Sequence, residues 1–347
     1  MTESASESAA ERARGAGVIA HDAQESPGDA AGAAGSPIIR VRDVTREFRR
    51  ARTSLLRPAP VVHALRGVSL DVLPGQRFGI VGESGCGKST LLRIVAGLDR
   101  PTSGSVKIEG QEISQLPERR LGFLRAQLQL VFQDPRGSLD PRMRVREIIA
   151  EPLVAQGHRN RRANLERVHE LLVSVGLQPD AADRYPHQFS GGQRQRISIA
   201  RALAPDPRIL VADEPVSALD VSVRAQVLNL VAELVDRLNL TLVFVSHDLS
   251  VVRHVCDQVA VMSRGEIVEQ GPVEQVYDAP AHPYSRQLVA AAPRLRAALA
   301  GRTAADLAAE TLAARKASAA PRSSVSTTPT SPTTSPATPT STPQDLP

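Results

Sequence analysis

Residues 79–90 read GIVGESGCGKST, and the run from Gly82 to Ser89 has the spacing G-x-x-x-x-G-K-S. The FGIVG segment at 78–82 has the aliphatic character of a buried strand, and STLLRIVAGL at 89–98 has that of a helix. A glycine-rich turn between strand and helix aims several backbone N–H groups at one point, where the positive end of the helix dipole adds to them. This is the pattern of a loop that cradles a polyphosphate. Gly82, Gly85 and Gly87 permit the tight turn, Lys88 is expected on the β- and γ-phosphates, and Ser89 is expected to ligate Mg2+. A glycine-rich turn that merely precedes a helix is the bland alternative, and composition speaks against it. Among 42 basic residues only Lys88, Lys107 and Lys316 are lysines, yet one stands where a compact ammonium suits the site better than a guanidinium fork.

Outward from this loop, short β-rich runs alternate with helical patterns. IIRVRDVTREF and VSLDVLPG read as antiparallel strands, while RILVAD and TLVFVSHD are buried aliphatic runs ending in polar residues. Val227, Leu230, Val231, Leu234 and Leu238 recur at helical spacing and predict a helix over 223–238. Leu165, Val168, Leu171, Leu172 and Val175 predict a second. Aliphatic strands separated by helices predict an α/β fold with a mostly parallel sheet. Residues 1–36 are rich in Ala, Gly, Ser and Glu and read as a disordered lead-in. From Pro321 to Pro347, 21 of 27 residues are Ser, Thr or Pro, so no core is expected there.

Composition narrows the function classes. Hydrophobic residues at 41% and charged residues at 23% are ordinary for a soluble globular protein, and aromatics at 3% argue against broad stacking surfaces for bases or sugars. Cys86 and Cys256 form no CxxC, so neither a disulfide framework nor a zinc or iron–sulfur site is indicated, and a reduced cytosolic compartment is expected. No apolar run approaches the roughly 20 residues that span a bilayer, and the N-terminus lacks a signal-peptide core. Any membrane role is therefore expected to be peripheral. Cys86, at a helix N-terminus, is expected to have a lowered pKa and to react with thiol reagents.

Several polar residues stand at the ends of apolar runs. ILVADEP delivers Asp213 and Glu214 to the C-terminal end of a strand, where ligands bind in open α/β sheets. Asp213 is expected to hold Mg2+ through water, and Glu214 to orient and deprotonate an attacking water. LVFVSHD places His247 within reach of a γ-phosphate, and LVFQDP places Gln133 near Mg2+ or the water. A second anion site is suggested by FSGGQRQRISIARAL at 189–203. There Ser190 is a natural N-cap and Gly191-Gly192 expose backbone N–H groups at a helix start.

Taken in order, these elements resemble the ABC-type ATPases, the nucleotide-binding subunits of transporters. The likeness rests on the Walker A segment 82–90 (Gly82, Glu83, Ser84, Gly85, Cys86, Gly87, Lys88, Ser89, Thr90), Gln133 and the signature Ser190-Gly191-Gly192-Gln193. It also rests on Asp213-Glu214, the D-loop Ser217-Ala218-Leu219-Asp220, and His247. The resemblance implies a P-loop NTPase fold: a RecA-like, mostly parallel core with an antiparallel β subdomain and an inserted α-helical signature subdomain. It implies ATP and Mg2+ as cofactors, with Lys88, Gln133, Glu214 and His247 in catalysis and Ser89, Gln133 and Asp213 at the metal. It also implies that the signature of one subunit closes on ATP held by the loop of a second, in a homo- or heterodimer. Phe48 falls where the family keeps an aromatic on adenine, and Phe189 opens the signature where Leu is commoner.

VFQDPRGSLDPRM (131–143), HPYSRQLVAAAP (282–293) and the arginine-bearing segment 49–68 resemble the oligopeptide and dipeptide (peptide/nickel) importer ATPases. On that resemblance residues 37–275 form the ATPase domain, with a helical subdomain at about 135–200. A C-terminal extension follows at 276–300, then an Ala-rich and Ser/Thr/Pro-rich disordered tail at 301–347. Implied partners are transmembrane permease subunits, a second ATP-binding subunit and, indirectly, an extracytoplasmic solute-binding protein, at the cytoplasmic face of the membrane. Nickel or another small solute is an alternative cargo. A nucleic-acid-associated ABC ATPase is a second alternative, raised by a pI near 9.7 and by Arg40, Arg42, Arg46, Arg49, Arg50 and Arg52. No nucleic acid is expected, because the 37 acidic residues are interspersed and no binding module is appended. A P-loop small-molecule kinase leaves Ser190-Gly191-Gly192 and the D-loop unexplained.

Overall fold

The structure, a computed structural model, describes residues 35–49 and 61–290. The strands are β1 (Ile39–Arg49), β2 (Val61–Val72), β3 (Arg77–Val81), β4 (Ser103–Ile108), β5 (Gln111–Glu112), β6 (Leu128–Val131), β7 (Ile209–Asp213), β8 (Thr241–Ser246), β9 (Gln258–Ser263) and β10 (Glu266–Pro272). The helices are α1 (Lys88–Val95), α2 (Gly122–Gln127), α3 (Pro135–Ser138), α4 (Val145–Ala155), α5 (Arg161–Ser174), α6 (Gly191–Leu203), α7 (Val221–Arg237), α8 (Leu249–Val255), α9 (Val273–Asp278) and α10 (Pro283–Ala290).

Two sheets result. One is four-stranded and antiparallel where pairing is recorded, in the order β2-β1-β4-β5; the other is six-stranded, β10-β9-β3-β8-β7-β6, with β6, β7, β8, β3 and β9 parallel. Strand alternation makes the second sheet a partition between two cores. In β7 and β8, Leu210, Ala212, Leu242 and Phe244 join a core with the signature helices and α7. Ile209, Val211, Val243 and Val245 join the opposite core with α1 and the antiparallel sheet. Both strands are covered on each face, which is why their sequences are continuously apolar rather than alternating.

All helices from α3 to α6 fall between β6 and β7, forming the inserted helical region, in which α4 packs on both α5 and α6. The two predicted helices exist with shifted edges. Leu238 is the C-cap of α7 and is 43% exposed, and Leu165 of α5 is 38% exposed at a surface groove. The β9–β10 hairpin escaped the sequence reading. Its turn is Arg264-Gly265, with φ +51° and +89°. Arg in the first left-handed position gives a much weaker turn signal than Asn or Asp would. The Ser/Thr/Pro tail, residues 291–300 of the C-terminal extension, positions 50–60 of the arginine-bearing segment and all but the last two residues of the N-terminal lead-in lie outside the described residues.

Candidate active site

The phosphate loop turns between β3 and α1. Gly87, the N-cap of α1, sits at φ +112°, and a Cβ there would lie 2.5 Å from the Ala64 carbonyl oxygen. At Gly82 a Cβ would meet the Met262 carbonyl oxygen at 2.2 Å, so both ends of the turn admit only glycine. Lys88 is 4% exposed, and its Nζ donates to the carbonyl oxygens of Gly82 at 2.7 Å and Glu83 at 2.9 Å. Among the described residues it makes no carboxylate ion pair. A buried ammonium satisfied by neutral carbonyls is costly to maintain unless an anion shares the site. The loop therefore fits a phosphate.

A cleft of about 530 Å³ opens above the loop and is lined by Ser84, Gly85 and Gly87 to Thr90, with Gln133, Glu214 and His247 across from them. Each strand end delivers one group: β6 leads to Gln133, β7 to Asp213-Glu214 and β8 to His247. Gln133 Nε2 donates to Glu214 Oε2 at 3.2 Å, and His247 Nδ1 lies 3.2 Å from the same oxygen. Glu214 holds its backbone at φ +46°, while its N–H donates to the Val245 carbonyl at 3.0 Å. Ser89 Oγ donates to Asp213 Oδ1 at 3.5 Å. Burial pushes the Asp213 carboxyl above its usual range, partly offset by that hydrogen bond. Among the described residues no group of three or more His, Cys, Asp or Glu could hold a metal. One hydroxyl, one amide and one carboxylate suit Mg2+, which keeps waters and takes phosphate oxygens rather than a full protein cage.

Other expected residues stand apart from this cleft. Phe48 is 39% exposed and pairs with Val62, which lines the cleft, while the Arg46 guanidinium covers its ring at 4.5 Å. Arg46 is itself held by Asp99 at 2.7 Å, and Arg40 and Arg42 both pair with Asp71, so three of the described arginines that raised the nucleic-acid alternative are engaged within the chain. Glu83 and Cys86 line a second cleft behind the loop. The expected lowering of the Cys86 pKa is corrected. The residue is 7% exposed with its sulfur beneath Gly82, and burial raises its pKa by more than the nearby Lys88 lowers it.

The signature also turns away from the cleft. Ser190 Oγ accepts from the Gln193 N–H at 3.3 Å and Gln193 Oε1 accepts from the Ser190 N–H at 3.0 Å, a reciprocal capping box at the start of α6. Gly191 is exposed as expected, but Gly192 is buried, and a Cβ there would meet Val223 Cγ1 at 2.4 Å. Leu219 Cδ2 stands 3.5 Å from where a Gly191 Cβ would be, and Ser217 Oγ donates to the Glu214 carbonyl at 3.1 Å. Residues 214–223 thus run from Glu214 to contacts of Leu219 and Val223 with the two glycines of the capped helix end. Val62, His63 and Ala64 complete the cleft and were not singled out in the sequence; their role comes from the close approach of β2 to Gly87, which no local pattern announces.

Comparison with known proteins follows the same lines. The family model described as ABC transporter matches residues 65–217, and that described as oligopeptide/dipeptide transporter, C-terminal region, matches 268–318. The oligopeptide transport ATP-binding protein AppF of Bacillus subtilis (strain 168) is 49% identical over 260 residues, covering 75% of this chain and 79% of that protein. The dipeptide transport ATP-binding protein DppF of Escherichia coli (strain K12) is 45% identical over 259 residues, covering 75% and 77%. Among solved structures, the ATP-binding cassette MJ0796 in a dimeric post-hydrolysis state bound to ADP and Pi superposes with a TM-score of 0.61 at 31% identity. That match covers 68% of this chain and 98% of that one.

Proposed function

The chain belongs to the ATP-binding subunits of the oligopeptide and dipeptide ABC transporters, and we propose that it hydrolyses ATP in a site completed by a second subunit to drive import through a permease. The observation that carries this reading is the convergence of Gln133 and His247 on one oxygen of Glu214, across the cleft from a buried, carbonyl-held Lys88. Loop N–H groups and Lys88 take the triphosphate. Glu214 accepts a proton from the attacking water as its oxygen bonds to the γ-phosphorus and the bond to ADP breaks. Gln133 and His247 hold the carboxylate in place for that transfer. Ser89, Asp213 and Gln133 would hold Mg2+, which when bound neutralises charge on the phosphate oxygens.

The capped start of α6 does not line its own cleft, which supports assigning Ser190–Gln193 to the nucleotide of a partner subunit, identical or not. Phe48, beside Val62 at the rim, is assigned to the adenine face. A groove of about 700 Å³ between α4 and α5, with Val154 and Leu165 exposed, is assigned as the permease seat. No helix among the described residues is long and apolar enough to cross a membrane, in keeping with a peripheral subunit at the cytoplasmic face. A solute-binding protein outside the membrane would supply peptide or a similar small solute. ATP hydrolysis by the full chain is expected to rise when its permease is added in vesicles and to stay unchanged with DNA. Stimulation by DNA alone, falling with salt, would overturn the importer reading.

A further inference from the structure

The HPYSRQL stretch is not used by the chemistry above, yet it reaches the phosphate loop. On β10, Glu269 grips the chain entering α10: Oε1 accepts from the Ala281 N–H at 2.8 Å and Oε2 from the His282 N–H at 3.0 Å. Arg286 locks the same turn by donating to the carbonyls of Pro280 at 3.1 Å and Ala281 at 3.0 Å. His282 Nδ1 accepts from the Tyr284 N–H at 3.2 Å. The turn so built carries the Tyr284 hydroxyl to the loop, where it accepts from the Glu83 N–H at 2.8 Å. The carbonyl of the same Glu83 accepts from Lys88 Nζ at 2.9 Å. Glu83 is therefore held on one side by Tyr284 and on the other by the lysine aimed at phosphate. Ser84 and Gly85 line both the nucleotide cleft and the cleft of about 570 Å³ behind it, which Tyr284 and His282 also line. The loop is a wall between the two, braced from the rear.

We propose that Tyr284 is a positioning residue for nucleotide binding, its hydroxyl fixing Glu83 so that the loop and Lys88 keep the shape that receives a triphosphate. The proposal rests on the nucleotide reading above. It is tested on the full chain with Tyr284→Phe, which keeps the ring and removes only the acceptor, and with Glu269→Gln, which weakens the grip on the turn. Tyr284→Phe is expected to raise KM for ATP roughly twofold to tenfold, the fold-change of one lost hydrogen bond, with kcat within about twofold of wild type. Without nucleotide, an aromatic disulfide reagent should label Cys86, which sits beneath the loop, several-fold faster, while Cys256 stays protected. Glu269→Gln should move both readouts the same way by less. An unchanged or lowered KM, a loss confined to kcat, unchanged Cys86 labelling, or joint labelling of both cysteines would each overturn the proposal. Failure of the wild-type chain to bind ATP would instead remove the nucleotide reading, and the Cys86 measurement would still judge the brace.

Discussion

Glu214 combines three features: a left-handed backbone at φ +46°, a carboxylate oxygen shared by Gln133 and His247, and a carbonyl bonded by Ser217. A left-handed conformation costs a non-glycine residue about 1–2 kcal/mol, and such strain is kept where it aims a group. The strain here turns the side chain from the end of β7 into the cleft. Glu214→Gln keeps the size and the partners but removes the basic oxygen. It is expected to lower steady-state hydrolysis by roughly 10²- to 10⁴-fold while ATP still binds and holds a dimer together; turnover near wild type in a phosphate-release assay would contradict the base assignment. Cys86 teaches the opposite lesson. Its place in the chain suggests an activated thiol, but it is buried beneath Gly82, and desolvation outweighs the charge of Lys88.

At the scale of elements, the start of α6 is built for close approach. The buried Gly192 admits Val223 of α7 where any larger residue would collide. Gly192→Ala is expected to cost about 1–3 kcal/mol, read as a lowered denaturation midpoint, and Val223→Ala in the same chain should recover most of that loss. A stable Gly192→Ala chain would contradict this packing role. Elements of this kind were partly legible in the sequence. The strand–loop–helix around Lys88 was readable because its glycine spacing is enforced by contacts such as Gly87 against Ala64. β7 and β8 were readable because both faces are buried. The hairpin at Arg264-Gly265 was not, and the edge of α7 was misplaced by Leu238, an apolar residue left exposed at the helix end.

For the whole molecule, what local patterns conceal is which distant segments meet. Tyr284 reaches Glu83, and Met262 and Ala64 set the glycines of the loop; each contact depends on strand order rather than on neighbours in the chain. The same topology separates the two expected anion sites, leaving the loop in one cleft and the capped start of α6 outside it. On the proposed reading, such a subunit carries two halves of different sites, joined through residues 214–223. The most direct test is the hydrolysis rate per subunit, at saturating ATP, as the protein is diluted a hundredfold. A site shared between subunits predicts that the rate per subunit falls steeply on dilution. A rate per subunit that stays constant would mean that one chain suffices, and would contradict the account.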